Sequence, residues 1–124
     1  GSGVVRKTAA QVVTGDTGTT ITDSAITLLD NYTYRVKINA VARRSDGPFG
    51  VASFTCEGTF YRSGGTAQAA GTPISVINGA DGDGVSYAIA FGLSGNDVIA
   101  VAFGSTGATL QWALAIEYQA VGVA

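Results

Sequence analysis

Between Tyr32 and Tyr61 the chain alternates apolar and polar residues with a period of two, the pattern of half-buried strands and not of a helix. Tyr32, Tyr34, Val36, Ile38, Ala40 and Ala42 share one face of the first arm, and Thr33, Arg35, Lys37, Asn39 and Arg43 share the other. In the second arm Phe54, Cys56, Gly58 and Phe60 stand against Ser53, Thr55, Glu57, Thr59 and Tyr61. The pattern predicts an antiparallel hairpin with its loop at residues 46–50, so that Ser45 opposes Val51, Ala42 opposes Phe54, Ala40 opposes Cys56 and Ile38 opposes Gly58. Lys37 then lies diagonal to Glu57, within reach of a weak cross-strand pair. A one-residue slip would turn both apolar faces to solvent, so the faces specify the register.

On either side the signals are shorter. Residues 4–13 read as a linker, an arm or an edge strand, and 14–20 (TGDTGTT) as a turn-rich stretch, so 4–20 is assigned to an N-terminal arm or linker and 21–124 to a single domain. Residues 1–3 (GSG) read as a cloning scar, with the native chain continuing upstream. Residues 21–29 predict one short strand. Residues 72–78 (TPISVIN) predict a strand that starts at Pro73 or lies at an edge, and 78–84 (NGADGDG) a loop. Residues 85–93 alternate a large face (Val85, Tyr87, Ile89, Phe91, Leu93) with a small one (Ser86, Ala88, Ala90, Gly92). The next strand, 98–103, sets large against large if a bulged three-residue connection, with glycine or asparagine at positive φ, opposes Phe91 with Val101 and Ile89 with Phe103. A last strand, 109–118, points Leu110, Trp112, Leu114, Ile116 and Tyr118 inward. Seven or eight strands with turns at short intervals and no helical stripe predict an all-β, antiparallel two-sheet β-sandwich of jelly-roll-like kind. The small faces of 85–93 and 109–118, which lack charge almost entirely, read as packing surfaces, against the second sheet or around a symmetry axis.

Composition sharpens this. A chain of 124 residues is one domain, but 13% charged residues is about half the usual share, which leaves part of the surface for another subunit. The net charge of −2 gives no electrostatic grip on nucleic acid or on an anionic membrane. No apolar run reaches the ~18 residues of a membrane helix. Without histidine and with one cysteine, Ser-His-Asp, Cys-His and the usual zinc sites are excluded. Cys56 lies on an apolar strand face and reads as a buried, inert thiol.

Candidate chemistry is sparse. Asp81 and Asp83 share the Asp-x-Asp-Gly opening of oxygen-rich calcium loops, but strand residues follow where further ligands belong, so a plain Asp/Gly turn is preferred and neither metal nor cofactor is expected. Arg43 and Arg44 stand beside Asp46 and Phe49; neighbouring strand residues face opposite sides, so one arginine at most enters any groove. That arginine either grips a carboxylate or sugar hydroxyls or, the preferred reading, braces the hairpin or a subunit contact. Glu57 and Glu117 are the only glutamates, and nothing in the sequence brings them to the spacing of a glycosidase pair. Trp112 alternates with apolar neighbours and reads as core.

The run RVKINAVARRSDG, then ASFTCEGTFYRSGGT, an acidic Asp/Gly stretch before a strand, and the terminal TLQWALAIEY resemble the C-terminal domains of bacteriophage tail fibres and related virion proteins. The resemblance covers residues 30–118 and is carried by Ala42–Gly47, Glu57-Gly58 with Gly64-Gly65, and Gln111-Trp112 through Glu117; Val85-Ser86-Tyr87 replaces the usual tryptophan after the acidic stretch. It implies β-sandwich knobs that form homotrimers on the virion exterior and contact a host surface glycan or protein. The expectation is a non-enzymatic distal tail-fibre domain in which Arg44, Asp46, Phe49, Asp81, Asp83, Ser105 and Thr106, all near loops, touch the partner. A structural virion module without a receptor, a trimerisation cap or capsid decoration protein, is the alternative, and a depolymerase-type hydrolase stands third.

Overall fold

The computed structural model describes residues 3–123, so two of the three residues read as a cloning scar lie outside it. The strands are β1 (Val5–Thr14), β2 (Thr19–Thr20), β3 (Ile26–Thr27), β4 (Tyr32–Arg44), β5 (Gly50–Tyr61), β6 (Gln68–Ala69), β7 (Ile74–Gly82), β8 (Ala88–Ser94), β9 (Asp97–Phe103) and β10 (Thr109–Gly122), with a 3-10 helix at Asp83–Ser86. They form two antiparallel sheets, as the alternation predicts. The large sheet runs β1-β10-β4-β5, with β6 and β7 both paired to β5; the small sheet sets β2 and β3 beside β9, with β8 also on β9.

The core lies between the sheets and is built from the faces the alternation marks. Val36, Ile38, Ala40 and Ala42 of β4, Phe54, Cys56 and Phe60 of β5, and Leu110, Trp112, Leu114 and Ile116 of β10 are buried against Ile89 of β8 and Val98, Ala100 and Ala102 of β9. Phe54 stacks on Trp112 with ring centroids 5.7 Å apart, and Phe60 meets Phe91 edge-on at 5.0 Å. Ser24, buried, donates to the Ile21 carbonyl (2.6 Å) and accepts from the Ala100 amide (3.1 Å), which satisfies its hydroxyl inside the core.

Several expectations shift. The hairpin forms with the predicted faces, but Ala40 opposes Phe54 and Ile38 opposes Cys56, two residues from the predicted register, and Lys37 lies directly across from Glu57. The cause is Ser45, whose amide and hydroxyl both donate to the Thr109 carbonyl (2.9 and 3.2 Å), drawing the chain out of the β4–β5 ladder one residue early. Of the readings of 4–13 the edge strand holds: β1 pairs with β10 along its whole length at the edge of the large sheet, and β2 joins the small sheet, so 4–20 is not a separate arm or linker. The short strand of 21–29 shrinks to β3.

The loop expected at 78–84 is mostly strand. β7 continues through Gly82, taking up Asn78 as a bulge between the pairs Phe54–Ile77 and Ser53–Gly79. The large face of 85–93 also shortens, since Val85 in the 3-10 helix and Leu93 at the strand end are exposed. The β8–β9 connection has no bulge: Phe91 opposes Ala100 and Ile89 opposes Ala102, through a two-residue turn with Gly95 at φ 59. Large facing small lets the inner layer interdigitate with Trp112 and Phe60 below, and this wins over matching large with large. Finally, the small faces of β8 and β10 do not pack on the second sheet. Ala88, Ala113 and their neighbours point outward.

Candidate functional site

Most of the loop residues marked in the sequence meet at one end of the sandwich. Arg44 follows Ala42 on the inward face of β4, one residue past the core, so its guanidinium enters the mouth between the sheets and its side chain is only 12% exposed. There Nε donates to Asp46 Oδ1 (3.0 Å) and Nη1 to Asp83 Oδ2 (3.0 Å). Asp83 Oδ2 also accepts from the Tyr87 hydroxyl (3.0 Å) and from Ser105 Oγ, while Asp46 Oδ1 accepts the Thr109 amide (2.9 Å). One arginine and two carboxylates thus join the β4–β5 loop, the 3-10 helix and the start of β10. Thr106 donates to Asp16 (2.9 Å), tying the loop after β1 to the same end.

The electrostatics follow from these donors. Ser105 first, then Tyr87 and Arg44, hold the Asp83 carboxyl below its ordinary range, although burial opposes them. The Thr109 amide and then Arg44 do the same for Asp46, and Asp46 in turn raises Arg44. Burial first, then Asp83, pushes the Tyr87 phenol up to about 12. A lowered carboxyl contributes stability that is present above its unfolded value of 3.8 and is lost as pH falls through the folded value. A raised phenol contributes stability that is present below 10.0 and is lost as pH rises towards about 12. The urea midpoint is therefore expected to fall on both sides, below about pH 4 and above about pH 10. Asp83→Asn should flatten the acid limb and Tyr87→Phe the alkaline one; limbs unmoved by these changes would show that the network does not set the pH dependence.

Arg44 bonds Asp46 and Asp83, and Ser105 bonds Asp83, so these side chains hold this end of the sandwich together. Asp81 and Asp83 do not converge as a cation loop: Asp81 Oδ1 accepts its neighbour's amide at Gly82 (2.8 Å), and Asp83 turns inward to Arg44. Asp46, Asp81 and Thr106 stay exposed at this end, and so does Phe49, 54% exposed, with the Arg43 guanidinium 5.4 Å from its ring centroid on the outer side of the hairpin. Burial pushes the Cys56 thiol up while Ser75 partly offsets it, in keeping with an inert core cysteine.

The two glutamates do share a face. Glu117 opposes Lys37 and Lys37 opposes Glu57, so the carboxylates stand on the outer side of the large sheet two strands apart, roughly 10 Å between backbones. Lys37 stands between them, and Arg35 sits 3.4 Å from Glu57 with both side chains well exposed. This is a row of opposite charges on the outer side of the large sheet. The sequence places Lys37 near Glu57 but carries no sign of Glu117 beside them or of the role of Tyr87, because both depend on strand order across the sheet.

No protein-family profile matches the chain, and no curated protein matches it in sequence. Among solved structures it is similar to the tailspike protein of Acinetobacter baumannii phage AM24, at 10% identity and TM-score 0.53 over 98% of this chain. The chain spans about a quarter of that tailspike's length, 27%. Weaker similarity (TM-score 0.36, 11% identity, 95% of this chain and 20% of the other) links it to tailspike protein gp49 of Acinetobacter baumannii bacteriophage Fri1, a capsular polysaccharide depolymerase. A Bacillus endospore appendage protein, from disulfide-linked pili, is similar at TM-score 0.33 and 14% identity over 96% of this chain and 90% of the other. The AM24 likeness is one of fold.

Proposed function

We propose that this chain is a non-enzymatic domain of a bacteriophage tail appendage, carried on the virion exterior as a homo-oligomer, and that it attaches to a host surface glycan or protein. The observation that carries the reading is the match of nearly the whole chain to part of a phage tailspike. The tail-fibre resemblance of residues 30–118 supports it independently. The non-enzymatic part is supported by Glu57, which is ion-paired with Arg35, and by the placement of Glu57 and Glu117 on the outer face of the sheet with Lys37 between them. Attachment rests on the end of the sandwich at Phe49 and Arg43, an exposed aromatic and a cation on a loop held rigid by Arg44, multiplied by the number of copies. The structural-module alternative keeps one specific support: Arg44, Asp83 and Ser105 are consumed internally.

Replacing Arg43 and Phe49 together by alanine is expected to weaken binding of the domain to host cells roughly tenfold or more while leaving the unfolding midpoint in place. Unchanged binding would move the site elsewhere, and a wild-type domain that neither binds cells nor blocks infection would favour the structural module. Release of reducing sugar from host polysaccharide by the domain would overturn the non-enzymatic reading.

A further inference from the structure

The outer face of the large sheet carries an order that only the strand registers reveal. Arg6 opposes Glu117, Glu117 opposes Lys37 and Lys37 opposes Glu57, so one row across β1, β10, β4 and β5 reads plus, minus, plus, minus. The two rows beside it are neutral and small. Thr8, Ala115, Asn39 and Thr55 form the first, and Ala10, Ala113, Val41 and Ser53 the second. Together these line a shallow basin of about 640 Å³. The next row sets Val12, Gln111, Arg43 and Val51 side by side. Val12 and Val41 are about half exposed here, and Val121 on the same face is 68% exposed.

A plus-minus-plus-minus row is antisymmetric about its midpoint, which lies between β10 and β4. Any rotation axis parallel to these strands and above that midline sets the β1–β10 half of one copy against the β4–β5 half of the next. Arg6 then meets Glu57 of the next copy and Glu117 meets its Lys37, all four charges finding an opposite partner. The neutral rows follow the charged row along the axis, and their small side chains allow backbones to approach to roughly the 10 Å of packed sheets. The half-exposed Val41 meets the space left by Ala113 of the next copy. Both a two-fold and a three-fold axis satisfy these pairings, and the charge pattern fits a second copy of this chain better than a uniformly charged partner.

We propose that the outer face of the large sheet is the surface through which copies of this chain associate, about an axis running along β4 and β10. The inference does not depend on host attachment. Within one chain Arg6 and Glu57 are three strands apart, roughly 14 Å, and do not pair; each has other neighbours in its own chain, Glu117 across from Arg6 and Arg35 beside Glu57, so recovery in the double charge swap is what reports the contact between copies. Light scattering and sedimentation of the chain over a range of concentrations should give a dimer or trimer mass. Arg6→Glu or Glu57→Arg alone is expected to weaken association about tenfold or more, since the like-charge contact recurs at every interface. The double variant R6E/E57R keeps the row antisymmetric and should restore association to within about threefold of the original. A monomer mass at every concentration would overturn the proposal, as would single variants that associate normally. So would a double variant no better than the singles while circular dichroism shows all of them folded.

Discussion

Trp112→Ala is expected to remove about 3–5 kcal/mol of folding stability, a large share of the total of a domain this size. Trp112 is 2% exposed near the start of β10, stacked on Phe54 and within the core, so truncation leaves a cavity that rigid strands on either side cannot close. The indole is also the one buried side-chain nitrogen or oxygen, among the described residues, with no hydrogen-bond partner: Nε1 has none. Burying an unpaired donor costs roughly 1–3 kcal/mol, which Trp112 carries as a debit against its packing. Trp112→Phe removes that debit along with part of the ring, and should lie within about 1–2 kcal/mol of the original protein. Urea unfolding of the two variants separates the terms. If phenylalanine proves as damaging as alanine, the indole nitrogen makes a bond in addition to its packing.

Trp112 also shows what is legible in the sequence. Its alternation with Leu110, Leu114 and Ile116 marks the buried face of β10 from the sequence alone, as alternation does for β4 and β5, because in a half-buried strand the period of two is imposed by water on one side. Register is less legible. Alternation is indifferent to a shift of two residues, and the choice is made by Ser45 bonding to Thr109, sixty-four residues away. The β8–β9 turn departs from expectation for a related reason: whether Phe91 faces alanine or valine depends on the layer beneath, which belongs to the other sheet. The end cluster is half legible. Arg44, Asp46, Asp83 and Ser105 read as loop residues able to bind, and they do bind, but one another. Sequence spacing carries no sign of a contact between residues 44 and 83, and Tyr87 reads only as a large residue on an apolar face.

Gly84→Val is the other change expected to act strongly. Gly84 is buried in the 3-10 helix, and a Cβ there would fall on the backbone of β5, on the Val51 carbonyl oxygen and close to its carbon (2.6 Å) and nitrogen (2.9 Å). Backbone cannot rotate away as a side chain can, so the helix has to lift off the sheet. Its flanks make this expensive. Asp83 on one side holds Arg44 and Ser105, Tyr87 on the other hydrogen-bonds Asp83, and the Asp83 amide donates to the Phe49 carbonyl (2.9 Å). Overpacking costs about 1–3 kcal/mol where neighbours yield, and here the yielding group is a strand at the centre of the hairpin, so the loss is expected at or beyond the upper end. Gly84→Ala should already lower the thermal midpoint, with Val below Ala. The distinctive consequence is coupling: a lifted helix releases Asp83 and Tyr87 from their shared environment, so the acid and alkaline limbs of the stability profile should flatten together with the loss of the midpoint. Amide exchange at Tyr87, whose N–H donates to the Gly84 carbonyl (3.1 Å), should quicken at the same time. A variant that loses midpoint yet keeps both limbs and slow Tyr87 exchange would show that the helix stays docked and that the clash is absorbed by β5, which would detach the end cluster from the packing that is argued to hold it.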